Sequence, residues 1–192
     1  MTVVYRKCFP VSMVFVMGLL IACVTGCTLA NDPINKVSVG RRTPCAVTFV
    51  MDGDTLSCDL NHNGRSDKPT EHIRLLGVDA PETHNSAKAR HRQHAERAVD
   101  EPHAQEAKAW LTQRTLGQTV WLGWDVKPTD RYGRSLAWIY TSPNAPVSLN
   151  QQLAEAGLAA ALFLGPNRQF ERNIQQAEQH AYQGQRGIWK PE

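Results

Sequence analysis

The chain has 192 residues, 42% of them hydrophobic and 20% charged, with a formal net charge of +3. That length suits one ordinary globular domain plus a short extra segment. Such a small charge excludes tight capture of a polyanion through bulk positive charge, so any anionic partner has to be held by individual placed residues.

The first 27 residues read as a targeting segment. Arg6 and Lys7 precede a nearly uncharged apolar run, Val11 to Val24, that ends in small residues. The run is short for a membrane-spanning helix, which takes about 20 apolar residues. Its end, "VTGC", has the form of a bacterial lipobox, which predicts lipidation of Cys27 and a membrane anchor on the periplasmic or cell-surface side. The alternative is plain secretion after cleavage near Ala30, and either route exports the domain. Loss of residues 1–27 removes two basic and no acidic residues, leaving 19 against 18 and a charge of +1.

Residues 28–43 carry turn formers and charge without a sustained period and read as a tether, with the folded domain spanning 44–190. Around Asp52-Gly53, "AVTFVM" and "TLSCDL" alternate apolar and polar positions and predict a hairpin. Outside the first 27 residues only Cys45 and Cys58 remain, and an exported setting favours a disulfide over two buried thiols. A two-residue turn sets Cys45 opposite Leu60 and diagonal to Cys58, so a bridge calls for a wider turn or a bulge.

"HIRLLGV" predicts a third strand. Glu101 and Pro102 open a helix carrying Ala104, Ala107, Trp110, Leu111 and Arg114, which Gly117 ends. "TVWLGWDV" and "RSLAWIY" predict two more strands, and Ser148 with Gln151 forms a capping box for a helix that stops at Gly157. Phe170, Ile174, Ala177 and Ala181 fall at helical spacing in the last element. Five short strands interrupted by a helix predict an α+β domain: a five-stranded Greek-key barrel of the OB type with three packed α-helices.

Chemistry concentrates in Asp54, "IRLLGVDAPET" and "TDRYGR". Asp54 and Asp79 offer two carboxylates at strand ends to a hard cation, with a backbone carbonyl as a further oxygen ligand. Glu82 follows close behind, while Arg74 and Arg134 can each bind a phosphate bidentately. Taken singly each has a bland reading as turn or strand-end chemistry; together they describe a phosphodiester site.

With "DGDT", "IRLLGVDAPET", "QEAKAWL", "DRYGRSLAWIY", "LNQQLAEAGLA" and "GIW" in order from about Cys45 to Trp189, the chain resembles the staphylococcal nuclease (thermonuclease) family. The resemblance implies a calcium-dependent hydrolase, an endonuclease cutting DNA or RNA with little sequence preference and leaving 3'-phosphate ends. It implies calcium on Asp54, Asp79 and the Ala80 carbonyl, Glu82 as general base, Arg74 and Arg134 on the phosphate, and Arg131, Tyr132 and Phe163 against the substrate. Where the family's best-known member has two tyrosines in the nucleotide pocket, this chain has Phe163 and Gly165, which keeps one stacking face and loses another. A monomer is expected.

Two features fall outside that pattern. The insertion 83–104 carries Lys88, Arg90, Arg92 and Arg97 with His84, His91, His94 and His103, and reads either as a basic flap on the nucleic-acid backbone or as a solvated segment offset by Glu96, Asp100 and Glu101. Asp59, Asn61, Asn63, Gly64 and Asp67 fall at positions 1, 3, 5, 6 and 9 of an EF-hand-like loop, which raises a second calcium site. Position 12 is Thr70, Glu71 comes one residue late, and an Asn-Gly turn explains Asn63 and Gly64 without an ion. The alternative to catalysis is a silent OB-type nucleic-acid-binding lipoprotein, for which Asp54, Arg74, Asp79, Glu82 and Arg134 need not all be present.

Overall fold

The computed structural model describes residues 42–84 and 99–191. In chain order the elements are β1 (Thr43–Val50), β2 (Thr55–Asp59), β3 (His72–Leu75), β4 (Val78–Asp79), α1 (Ala104–Thr115), β5 (Thr119–Gly123), β6 (Ser135–Tyr140), α2 (Leu149–Glu155), β7 (Ala160–Ala161) and α3 (Glu171–Gln183), with a 3-10 turn at Gly187–Trp189. Strands β1, β2, β3, β6 and β5 close in that order into a barrel, giving the five-stranded α+β architecture with three described α-helices that the element order predicts. Within the barrel β3 and β6 run parallel and the other neighbours antiparallel. The predicted signal segment with Cys27, and Lys88, Arg90, His91, Arg92, His94, Glu96 and Arg97 of the insertion, lie outside the described residues. No helix among the described residues is long and apolar enough to cross a membrane.

Leu56, Ile73, Leu75, Val120, Leu122 and Ala137 are buried in the apolar core that the barrel strands build. β1 starts at Thr43, inside the predicted tether, and Arg42 stacks on the Tyr140 ring at 3.2 Å while donating to the Ser142, Pro143 and Ala145 carbonyls. Strict alternation from Cys45 and Val47 would turn Phe49 inward. Instead the β1–β2 register shifts between Val47 and Phe49, so Phe49 is 56% exposed and Val50 points in.

That shift matters for the cysteines. The hairpin loop is three residues long, Asp52 to Asp54, closed by the Met51 N–H on the Thr55 carbonyl at 2.9 Å. The wider loop and the bulge offset each other, so Val47 faces Cys58 and Ala46 faces Asp59. Cys45 therefore stays diagonal to Cys58, and the twisted, bulged ladder brings their Cα atoms to 5.6 Å, where they form a disulfide.

The predicted strand from His72 to Val78 is broken. Gly77 adopts φ +76°, and a Cβ there would lie 2.9 Å from the Trp138 ring and 3.0 Å from Phe163. Only glycine fits that bend. Beyond it Val78 and Asp79 leave the barrel wall to pair with Ala161 and Ala160. Buried Asn150 holds the bend from α2, donating to the Leu76 and Ala137 carbonyls and accepting from the Ile139 N–H. Ser148 caps α2 by accepting from the Gln151 N–H, as its spacing predicts. α1 begins at Ala104, later than the Pro102 start expected from sequence, because His103 takes a left-handed conformation and Ala104 N–H turns onto the Glu101 carbonyl.

Candidate active site

The tip of the β1–β2 hairpin is wedged against α1 and the segment after β4. A Cβ on Gly53 would lie 2.6 Å from the Ala107 Cβ and 2.7 Å from the Ala80 Cβ. Glycine is therefore demanded here by space, not by a two-residue turn. This packing carries Asp54 into the interior, where it is 3% exposed.

Asp54 is well satisfied there. Its Oδ1 accepts from the Thr55 hydroxyl at 3.0 Å, and its Oδ2 accepts from the Ala80 N–H at 2.8 Å and pairs with Arg74 Nη1 at 3.0 Å. Arg74 Nη2 reaches Asp79 Oδ1 at 2.7 Å, while Nη1 also donates to the Leu75 and Val78 carbonyls. One guanidinium thus joins residues from the hairpin, β3 and β4. These acceptors engage both Nη1 and Nη2 of the guanidinium.

Sequence reasoning missed Asp52, because an Asp before Gly is ordinary turn chemistry. It is buried, and its Oδ1 accepts from the Asp54 N–H at 3.1 Å. Burial first, and then the negative charges of Asp54 and Glu82, push its carboxyl up to about 7, against the lowering effect of that N–H. The same electrostatics set Glu82 beside the hairpin. The predicted sites Asp54, Asp79, Ala80, Arg74 and Glu82 therefore share one locale. Oxygen dominates the donor set, which fits a hard cation such as calcium, and carboxylates crowded enough to resist ionisation are those a cation relieves. Among the described residues no group of three or more His, Cys, Asp or Glu is placed to hold a metal ion, so carbonyls, water or phosphate would have to supply the rest of the shell.

Arg134 precedes β6 by one residue, and the parallel pairing of Arg74 with Leu136 puts it about 8 Å from Arg74 along the diagonal, from strand rise and spacing. Its Nε donates to Asp130 Oδ2 at 2.7 Å, and Asp130 Oδ1 accepts from the Tyr132 and Arg134 N–H groups. Tyr132 is exposed, and Arg131 donates to its hydroxyl at 2.6 Å. Phe163 is half-buried over Gly77, and the Leu162 N–H donates to the Gly77 carbonyl at 3.0 Å. Phe163 thus stands against Gly77, two residues before Asp79 and next to the β4–β7 pair.

The Asp59–Asp67 loop is organised differently. Asp59 accepts from the Asn63 and Gly64 N–H groups, Asn61 Oδ1 from the Asn63 N–H, Asn63 Oδ1 from the Arg65 N–H, and Asn63 Nδ2 donates to Asp67. Glu71, 2% exposed, accepts from the Leu60, Asn61 and Asp67 N–H groups. The residue that arrives late for an EF-hand is the loop's internal anchor. His84 and Asp100 meet at the foot of the insertion, and His103 meets Glu106.

The family described as Staphylococcal nuclease homologue matches residues 72–191, a span that holds Arg74, Asp79, Glu82 and Arg134 but not Asp54. The chain is 32% identical over 143 residues to a thermonuclease of Staphylococcus hyicus, covering 74% of this chain and 73% of that one. It is 33% identical over 161 residues to a thermonuclease of Staphylococcus intermedius, covering 83% and 84%. A probable endonuclease of Kluyveromyces lactis is 29% identical over 141 residues, covering 70% of this chain and 47% of that protein.

Proposed function

The chain belongs to the staphylococcal nuclease family and is a nuclease hydrolase acting on nucleic acid, and on that premise we propose that it is calcium-dependent, cuts DNA or RNA with little sequence preference, and leaves 3'-phosphate ends. The observation that carries the reading is the single guanidinium of Arg74 bound to both Asp54 and Asp79. A surface strand end needs no such convergence, and a phosphodiester site does.

Asp54, Asp79 and the Ala80 carbonyl would hold calcium, which when bound supplies the positive charge that admits a phosphate anion among carboxylates and acidifies a nearby water. Arg74 binds a non-bridging phosphate oxygen through its guanidinium. Arg134 adds its Nη groups, since Asp130 holds only its Nε. Both gain most where negative charge on the non-bridging phosphoryl oxygens is greatest, so they favour the transition state over the substrate. Glu82 takes the proton of the attacking water, which approaches in line with the departing 5' oxygen. Arg131, Tyr132 and Phe163 position the nucleotide, Phe163 through its ring face.

Plasmid DNA incubated with the purified protein should be cut with calcium and left intact with chelator. Glu82→Gln should lower the rate by a factor on the order of 10² to 10⁴ with an unchanged melting temperature. Cutting in chelator refutes the calcium dependence, and full activity of Glu82→Gln refutes the assigned base.

The reading extends to location. The Cys45–Cys58 disulfide supports an oxidising compartment, and the "VTGC" motif supports lipid attachment at Cys27, with the enzyme acting as a monomer outside the cytoplasm. Cys27→Ala should release the protein from the membrane fraction.

A further inference from the structure

Glu82 lies in a stretch, residues 80–83, that belongs to no helix or strand. A side chain on such backbone has no ladder to aim it. Yet both backbone groups of Glu82 are held by one residue across the foot of the insertion. Its N–H donates to Glu101 Oε2 at 3.0 Å, and its carbonyl accepts from the Glu101 N–H at 3.0 Å. Two bonds to a single partner fix the peptide planes on both sides of the Glu82 Cα.

Glu101 is itself tied to the framework. Its carbonyl accepts from the Ala104 N–H at the start of α1, and α1 is anchored by buried Ala104, Ala107 and Leu111. Ala107 is the residue against which the Gly53 tip of the Asp54 hairpin packs. One helix therefore takes its position from the hairpin that carries Asp54 and passes it to the backbone that carries Glu82. Next to this clasp, Asp100 accepts from the His84 N–H at 2.7 Å and from Gln105 at 2.6 Å, which braces the same crossing.

We propose that Glu101 is a positioning residue that sets the general base Glu82 in register with the Asp54 hairpin, acting through the hydrogen bond between its carboxylate and the Glu82 N–H. The proposal rests on the reading of Glu82 as base. The hydrogen bond needs an acceptor at the reach of a glutamate side chain.

The test compares Glu101→Gln, Glu101→Asp and Glu101→Ala, alone and with Glu82→Gln, by kcat, KM and melting temperature on DNA with calcium. Glu101→Gln keeps an acceptor at the same reach and should stay within about threefold of the parent. Glu101→Asp keeps the charge but falls one methylene short, and with Glu101→Ala should lose kcat by a factor on the order of 10 to 10², with KM little changed. In the Glu82→Gln background, Glu101→Ala should add less than about a twofold loss, since a misplaced base that is already absent has nothing further to lose.

A full additional loss in that background overturns the proposal, and so does a Gln variant as slow as the Ala variant. If Glu82→Gln is inactive while Glu101→Ala and Glu101→Asp cut normally, the positioning role falls and the base assignment stands. If Glu82→Gln cuts normally, the base assignment is what has failed, and the positioning role goes with it. Should Glu101→Ala not fold, the contrast between Gln and Asp decides.

Discussion

Two acid-bearing loops leave opposite ends of β2, and they use the same residue types in opposite ways. In the loop 52–54 the carboxylates point into the interior, where Arg74 meets Asp54 and burial beside Asp54 and Glu82 holds Asp52 up to about 7. In the loop 60–71 the carboxylates and amides are turned on their own backbone, with Glu71 accepting three N–H groups and Asp59 two. The first arrangement gathers carboxylates around one guanidinium in a buried place, as the proposed site requires. The second is self-satisfied and builds structure. Acidic composition alone does not separate the two; what the oxygens accept does.

The comparison breaks most visibly if activity fails to follow the first loop. Asp54→Asn should reduce the cutting rate by a factor on the order of 10² to 10³ while leaving the protein folded, because Arg74 keeps Asp79 and two carbonyls as partners; a plasmid assay beside a melting curve reads both. Glu71→Ala is the mirror case. It removes the shared acceptor of three part-buried N–H groups and should cost about 1 to 3 kcal/mol in urea unfolding, with kcat unchanged at temperatures where the variant is folded.

Between these lies the disulfide, which closes 13 residues of separation around the first loop. Replacing both cysteines with serine should cost roughly 2 to 3 kcal/mol and spare activity in the cold, because the bridge constrains the unfolded chain more than it shapes the site. Smallest is the foot of the insertion. The His84 N–H first, then Gln105 and the His84 ring, pull the Asp100 carboxyl down to about 2 from an ordinary 3.8. The folded state therefore binds fewer protons than the unfolded one. The stabilisation is complete above about pH 4 and fades as pH falls toward 2. The melting-temperature difference between the parent and Asp100→Asn should shrink across that window and be constant above it.

Much of the candidate site was legible along the chain. Asp54, Arg74, Asp79, Glu82 and Arg134 stand as acids and arginines beside short apolar strands, bland singly and suggestive together, and the barrel follows from five such strands around a helix. Asp52 was hidden because an Asp before Gly is equally good hairpin chemistry, and only its burial next to Asp54 distinguishes it. Glu101 was hidden because its partner is a backbone N–H 19 residues away, which leaves no mark on side-chain pattern. The β4–β7 pair is two residues long on each side and falls below any periodicity. The EF-hand spacing of Asp59 to Asp67 was visible, but whether its oxygens face an ion or the main chain is a matter of conformation.

By itself the sequence determined what is local: the alternation that makes strands, the Ser148 cap, and the supply of acids and arginines. Tertiary structure decided which of them meet. Arg74 reaches Asp54 and Asp79 only because the barrel closes, Cys45 reaches Cys58 only through a bulge, and Asp52 resists ionisation first because it is buried and then because Asp54 and Glu82 add negative charge. Pattern arises from neighbours along the backbone, whereas charge, burial and proton affinity depend on neighbours in space.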